Sequence, residues 1–241
     1  MPDDVRLRDA FETAERKRTY VRRLFATIAD RYDLITVLLS FGRDRRWKDR
    51  LIAMAGIRPG MRALDLACGT GDITFDLARH GARAVGLDVT HRMVQIASAK
   101  RSPAAAARFI VGDMMALPFE DRQFDLITSG YGIRNVPSIE PALREISRTL
   151  RPGGLFLSLD FNRPSNGAVR AVYLCYLSVV GSLLGLALHR DPDTYRYIPE
   201  SIRQYPGAEG VARLMERTGF ADVRVFPVFG GFMAIHTARK L

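Results

Sequence analysis

Between residues 63 and 161 short apolar runs alternate with helical stretches, and this alternation constrains the fold more than any other feature of the chain. Ala63–Ala67, Ala84–Asp88, Arg108–Gly112, Phe124–Ser129 and Leu155–Phe161 read as strands. Asp72–His80, Arg92–Lys100 and Ile139–Leu150 read as the helices between them, stopped in turn by Gly81 and by Arg151-Pro-Gly-Gly. Parallel neighbours need crossover connections, and helices in those crossovers bury both sheet faces, so the pattern predicts a parallel sheet covered on both sides. Residues 166–206 interrupt it with a helical stretch, apolar early and polar late, which reads as an insertion after the fifth strand. A helix at 211–218, stopped by Gly219, precedes two last strands, Val223–Pro227 and Phe232–Thr237, with Gly230-Gly231 between them as a hairpin signal. Upstream, Phe25, Ile28, Ala29 and Tyr32 recur at three- and four-residue spacing, so residues 1–55 read as helical with one apolar face. The expectation is an α/β, Rossmann-like fold. It has a mostly parallel seven-stranded sheet with a C-terminal antiparallel hairpin, a helical lid over 1–55, and a main domain over 56–241 with the helical insertion at 166–206.

The chemistry concentrates at the ends of the first three strands. Leu64-Asp65-Leu66-Ala67-Cys68-Gly69-Thr70-Gly71-Asp72 runs from strand through glycine turn into helix. Such a turn also begins dinucleotide sites, but those place a third small residue where this chain has Thr74. Asp65 stands just before the loop, where it would repel a pyrophosphate and suit the ammonium of an amino-acid tail. The ligand favoured on this ground is S-adenosylmethionine. Asp88 ends the second strand, 17 residues after Gly71 (88 − 71), where a carboxylate accepts both ribose hydroxyls. After the third strand, Asp113 is placed to accept from an adenine amino group, or to serve as a turn residue or helix cap, and Met114 to lie on the ring. All lie at the carboxyl edge of the expected sheet, where such folds bind ligands.

Length and composition bound the alternatives. A chain of 241 residues makes one sizeable domain. Its cysteines, Cys68 and Cys175, are far apart, and with four histidines no metal site is expected. Met1–Arg23 mixes charges without an apolar core, so no signal peptide is read there. Ala104–Ala107 is the one low-complexity tract. Ala171–Leu188 is an 18-residue apolar stretch, read as a helix that caps a site or touches a membrane surface rather than spanning one. The formal net charge of +10 favours anionic partners, nucleic acid or acidic lipid. No basic stripe is interleaved with stacking aromatics, which argues against nucleic acid. The setting expected is cytoplasmic, peripheral at the inner face of the cell membrane, with a homodimer left open.

Finer motifs carry a resemblance. Tyr32-Asp33, Leu39-Ser40-Phe41-Gly42, Arg46-Trp47-Lys48, Tyr131-Gly132-Ile133-Arg134-Asn135-Val136, Tyr195-Arg196-Tyr197, Glu200-Ser201 and Pro206, with the loop at 64–72, resemble the ubiquinone/menaquinone biosynthesis C-methyltransferases, a class I S-adenosylmethionine-dependent family. The likeness covers residues 20–241 and implies carbon methylation of a polyprenylated quinol, a demethylmenaquinol or a ubiquinone-precursor benzoquinol. By analogy Thr70, Asp88, Asp113, Met114 and Gly130 fall at the cofactor; that family often has Ser in place of Gly130, and Ser129 stands just before it. With Asp65, Gly69 and Gly71 these complete the expected cofactor set. Tyr131, Arg134 and Asn135 are the expected catalytic residues. Arg134 is placed to hold the quinolate oxygen, and Asn135 either joins it or caps the next turn. Tyr131, Asp160, His189 and Tyr195 are candidates for handling the proton. Tyr32 and Asp33 belong either to a lid over the cofactor or to an ordinary helix end, and Trp47 reads as a packing anchor. A methyltransferase of another small molecule or lipid, an RNA methyltransferase, and a binding module without catalysis are the competing readings. Methyl transfer to a quinol, or a salt-dependent shift with RNA, separates them.

Overall fold

The computed structural model describes residues 6–102 and 106–241. Met1–Val5 of the N-terminal charge reading and the first two alanines of the 104–107 tract lie outside them. The N-terminal segment forms α1 (Ala14–Ile28), α2 (Tyr32–Leu39) and α3 (Asp44–Met54). The alternating region forms β1 (Arg62–Leu66), α4 (Asp72–Arg79), β2 (Arg83–Asp88), α5 (His91–Lys100), β3 (Ala107–Val111), β4 (Phe124–Gly130), α6 (Ile139–Thr149) and β5 (Leu150–Phe161). The insertion is α7 (Gly167–His189) and α8 (Tyr197–Gln204), and α9 (Gly207–Arg217), β6 (Phe220–Val228) and β7 (Met233–Lys240) complete the chain. The sheet order is β3-β2-β1-β4-β5-β7-β6. β7 runs antiparallel to β5 and β6, while the other neighbours are parallel. The expected α/β architecture and its C-terminal hairpin are therefore present.

Period-two alternation sorts the strand residues onto two cores. On one face Leu64, Leu66, Ile127 and Phe156 meet Leu143 and Ile146 of α6 and Val211 and Met215 of α9. On the other, Ala63, Leu126, Leu157 and Leu159 meet Trp47 and Leu51 of α3 and Ile73 and Leu77 of α4. Several boundaries differ from the sequence reading, among them the last two strands, which run longer than read, and two of the differences have a clear cause. β5 begins at Leu150, not Leu155: Phe124 pairs with Leu150 and Leu126 with Leu155, so Arg151-Pro-Gly-Gly is a bulge inside the pairing rather than a linker before it. α9 begins at Gly207 rather than 211, the left-handed Gly207 following Pro206.

The strand order reverses between β1 and β4, which places a crevice at their carboxyl ends, where open α/β sheets bind ligands. Over it lie α1, α2 and α7.

Candidate active site

Two cavities meet at this crevice. The smaller, about 80 Å³, is lined by Ala67, Gly69, Leu87, Asp88, Thr90, Asp113, Met114, Gly130 and Gly132 from the strand ends, and by Arg18, Phe25 and Tyr32 from the helices above. The larger, about 670 Å³, has almost wholly apolar walls: Leu24, Phe25 and Ile28 of α1, Ile35 and Leu39 of α2, Val172, Tyr173 and Leu177 of α7, and Phe229 and Phe232 of the hairpin turn. Phe25, Tyr32, Tyr131 and Asn135 line both and form the wall between them.

The small cavity is built from backbone bends. Ala67 (φ 52°) and Tyr131 (φ 60°), which follow β1 and β4, are non-glycine residues in the left-handed region, and such strain concentrates at ligand sites. A Cβ on Gly132 would come within 2.6 Å of the Cβ of Ala67 and of Ser129 Oγ, so only glycine permits this approach of the two strand ends. Asp88 is buried, its Oδ2 accepting from the Gly69 amide at 2.9 Å and its Oδ1 from the Thr90 amide at 2.8 Å. Burial pushes its carboxyl upward against those two amides. Each oxygen keeps a second lone pair for a ribose hydroxyl. Asp113 Oδ1 accepts from the Met115 amide at 2.8 Å, and its Oδ2 lies 3.3 Å from Arg18 on α1. The turn role and the cavity role of Asp113 thus coexist.

Of the sequence-derived cofactor set, Gly69, Asp88, Asp113, Met114 and Gly130 line the small cavity. Asp65, Thr70, Gly71 and Ser129 stand behind it. Asp65 is buried beneath the loop, its oxygens accepting from Thr74 Oγ1 at 2.7 Å and Thr128 Oγ1 at 2.9 Å. Burial pushes its carboxyl up to about 7 against those two hydroxyls. Thr70 Oγ1 donates to Asp33 at 2.6 Å, tying the loop to α2, and Asp33 in turn meets Lys100 of α5. Gly71 caps α4 in the left-handed conformation, with Phe75 filling the space a Cβ would need. Ser129 Oγ, Thr90 Oγ1 and Asn135 Oδ1 are buried without a hydrogen-bond partner among the described residues. Thr90 and Asn135 line the small cavity, and orphaned acceptors and donors of this kind fit a polar nucleoside.

The sequence-derived catalytic trio meets in the wall and floor of the large cavity. Arg134 is buried in a network: its Nε donates to Ser201 Oγ at 3.0 Å, its Nη1 meets Asp160 Oδ1 at 3.2 Å, and its guanidinium lies 4.7 Å from the Phe161 ring centre. Asn135 Nδ2 donates to the Tyr131 carbonyl at 2.8 Å, so its amide end serves the local turn while its carbonyl end is free for a ligand. Asp160 and His189 line neither cavity. Tyr195 lines the large one, its hydroxyl 2.8 Å from His189 Nε2. Trp47 anchors the core and also reaches the large cavity. Sequence reasoning missed Asp44, which accepts from Tyr131 Oη at 2.6 Å, and Arg18 over the small cavity. Nothing local marks either one, because each gains its partner only through tertiary contact.

The architecture is that of a class I methyltransferase, and the comparisons agree. A structure of an S-adenosylmethionine-dependent methyltransferase, possible histamine N-methyltransferase, from Thermotoga maritima superposes with a TM-score of 0.66 at 18% identity, over 92% of this chain and 100% of that one. A Haemonchus contortus phosphoethanolamine N-methyltransferase 2 in complex with S-adenosyl-L-methionine gives 0.60 at 16% identity, over 81% of this chain and 52% of that one. The protein is an S-adenosylmethionine-dependent methyltransferase. More narrowly, the profile of the ubiE/COQ5 methyltransferase family matches residues 13–240, and the chain belongs to that family. Demethylmenaquinone methyltransferase of Staphylococcus aureus (strain JH9) is 34% identical over 223 residues, covering 91% of this chain and 92% of that protein.

Proposed function

We propose that this enzyme methylates a ring carbon of a polyprenylated quinol, a demethylmenaquinol or the corresponding benzoquinol precursor of ubiquinone. The observation that carries the reading is the apolar cavity of about 670 Å³ sharing a wall with the cofactor cavity. Its volume lies within the usual range for a small-molecule site. A polar acceptor would leave its walls unused, whereas a prenyl tail gains about 0.8 kcal/mol per buried CH₂ there. The likeness to a demethylmenaquinone methyltransferase points to the naphthoquinol.

S-adenosylmethionine supplies an electrophilic methyl group on a cationic sulfur. Gly69, Asp88, Asp113, Met114 and Gly130 would hold it in the small cavity. At about 80 Å³ this space is below the roughly 300 Å³ of an ordinary ligand site. Arg18, Phe25 and Tyr32 roof this space from α1 and α2, so these two helices would form a lid over the cofactor. Closure then excludes water, which matters because the step joins an anion to a cation and bulk water would stabilise both reactants. Arg134, at the floor, holds a developing ring oxyanion. Asn135 and Tyr131, in the wall, orient the ring toward the cofactor.

The cavity mouth supports contact with a lipid surface. α7 is long and apolar enough to cross a membrane, yet it forms a wall of the substrate cavity. It exposes Val172 (72%) and Leu183 (62%), and α2 exposes Leu34, Val37 and Leu38. Phe41, after α2, stacks on Tyr176 of α7 at 6.1 Å, joining the two faces around the mouth. Basic residues near an anionic surface add about 1 kcal/mol each. The deciding experiment supplies methyl-labelled S-adenosylmethionine with demethylmenaquinol and, separately, the demethylated benzoquinol. Label in the naphthoquinol product is expected, label in the benzoquinol assigns the other branch, and label in neither refutes the reading.

A further inference from the structure

The wall between the two cavities contains two titratable side chains, Tyr32 and Tyr131, and Tyr131 is wired to a buried charge network. Its Oη donates to Asp44 Oδ1 at 2.6 Å. Asp44 Oδ2 lies 2.6 Å from Lys48 Nζ, which also meets Asp72 Oδ2 at 2.9 Å. Asp44 and Lys48 are each 6% exposed. From its strained backbone Tyr131 donates its amide to the Leu159 carbonyl at 2.7 Å and accepts at its own carbonyl from Asn135, so both neighbours fix where the ring points. We propose that Tyr131 and Asp44 form the proton path of the reaction, with Lys48 as their fixed counter-charge, Tyr131 taking the acceptor's hydroxyl proton while handing its own to Asp44. This assignment rests on the acceptor being a ring with an ionisable hydroxyl, as proposed above.

The other carboxylate and imidazole considered from the sequence are worse placed. Asp160 faces Arg134 and its backbone, and His189 faces Tyr195, outside the cavity walls. Tyr131 cannot serve as a standing base, because burial and Asp44 push its hydroxyl well above the ordinary range. It acts only as a relay, gaining one proton as it gives up another. Lys48 makes the arrangement tolerable at both stages. Burial pulls its ammonium down, but Asp44 and Asp72 together overcome this and hold it above the ordinary value. Before transfer the buried Asp44 anion is paired with Lys48. After transfer Asp44 is neutral and Lys48 keeps Asp72, so neither state strands a buried charge.

The step balances. The acceptor's O–H bond breaks as its proton joins Tyr131 Oη, and the Tyr131 proton joins Asp44 Oδ1. The electron pair left on the acceptor flows to the ring carbon and forms the new carbon–carbon bond. The pair of the broken methyl–sulfur bond stays on sulfur. The proton then returns by the same path to the ring oxygen, and once the site reopens the methylated carbon releases its own proton to water, the C–H pair restoring the aromatic ring, so one proton reaches solvent per methyl.

The test is Asp44→Asn, which keeps the size of the side chain and an oxygen to accept from Tyr131. With demethylmenaquinol, kcat is expected to fall by roughly 10²- to 10⁴-fold, the usual contribution of proton transfer, while KM stays within a few fold. Asp44→Glu, which keeps a carboxylate, is expected to recover part of the loss. A second readout is the pH dependence of kcat. Without the relay the acceptor's hydroxyl must ionise in solution, so the Asp44→Asn deficit is expected to shrink by about tenfold per pH unit as pH rises toward the acceptor's own ionisation, while wild-type kcat stays nearly flat. Wild-type kcat in Asp44→Asn, or a deficit that is the same at every pH, overturns the relay. If Asp44→Asn does not fold, Tyr131→Phe leaves the Asp44–Lys48–Asp72 cluster intact and is read by the same two measurements. A wild type that methylates no quinol defeats the proposed function and the relay with it, whereas an active wild type beside an unimpaired Asp44→Asn defeats the relay alone.

Discussion

Replacing Asp65 by Asn tests whether this carboxyl is held near neutrality beneath the glycine loop. Its side chain is 1% exposed, with both oxygens taken by the hydroxyls of Thr74 and Thr128. Burial raises its folded value to about 7, against about 3.9 in the unfolded chain. A raised carboxyl contributes stability fully below the unfolded value and loses it as pH rises through the folded one. Three units correspond to about 4 kcal/mol lost between pH 4 and 7, of which about 3 kcal/mol falls between pH 5 and 7. Asn has the same size and no charge. It changes one hydrogen bond, an offset of about 1 kcal/mol that does not vary with pH. Urea unfolding of both proteins at pH 5, 6, 7 and 8 should therefore show Asp65→Asn gaining on the wild type by about 3 kcal/mol from pH 5 to 7, with a plateau above. A difference that stays flat across this range refutes the reasoning. The same carboxyl links to the cofactor, because a cation above the loop favours the ionised form. S-adenosylmethionine uptake by the wild type at pH 6 should release protons, read as a buffer-dependent heat in calorimetry, and Asp65→Asn should abolish that dependence.

Two further outcomes are expected. Arg134→Ala would strand the buried Asp160 and cost about 3–5 kcal/mol of stability, so Arg134→Lys is the cleaner probe. It keeps the charge but loses the fork that reaches Ser201 and Asp160 together, and kcat should fall at least tenfold with S-adenosylhomocysteine affinity unchanged. Val179→Asp with Leu183→Asp places two carboxylates on the exposed face of α7, away from the cavity lining. Flotation with anionic, quinone-loaded vesicles at low salt should drop more than tenfold, since each apolar side chain is worth about 1.5–3 kcal/mol when buried. Unchanged flotation removes α7 from any membrane contact.

The strand–helix alternation and the glycine turn are local signals, and they located the sheet, its crevice and the loop at 64–72. The residues of the expected cofactor set that line the cavity are those whose position follows from the end of a strand: Gly69, Asp88, Asp113, Met114 and Gly130. Asp65 shows where local reasoning stops. Its place before the loop is legible, but a strand residue faces one side or the other by register, and here it points to Thr128 on the neighbouring β4. The start of β5 was hidden for a related reason: Pro and Gly suggest a break, and only the pairing with Phe124 reveals a bulge. Asp44 was illegible, and Lys48 legible only as part of the motif Arg46-Trp47-Lys48, because their partners, Tyr131 and Asp72, come from elements 87 and 24 residues away in sequence.

On the proposed relay, the wall between the cavities explains why the chemistry would sit on backbone strain rather than on a conventional base. Methyl transfer needs the acceptor carbon and the sulfonium to approach across that wall, so its side chains must neither block the gap nor admit water. Gly132 packs on Ala67 where any Cβ would collide, which lets the two strand ends close up beneath the small cavity, and Phe25 and Tyr32 cover the wall from above. Tyr131 turns into the left-handed region at the end of β4, and that bend takes its ring out of the strand and against both cavities, with its hydroxyl on Asp44 of α3. A residue with ordinary strand geometry would continue along β4 and lose that placement. On that proposal the strain at Tyr131 is the structural cost of putting one hydroxyl between the acceptor and a buried carboxylate, and the hydrogen bonds from its amide to Leu159 and to its carbonyl from Asn135 hold the bend in place.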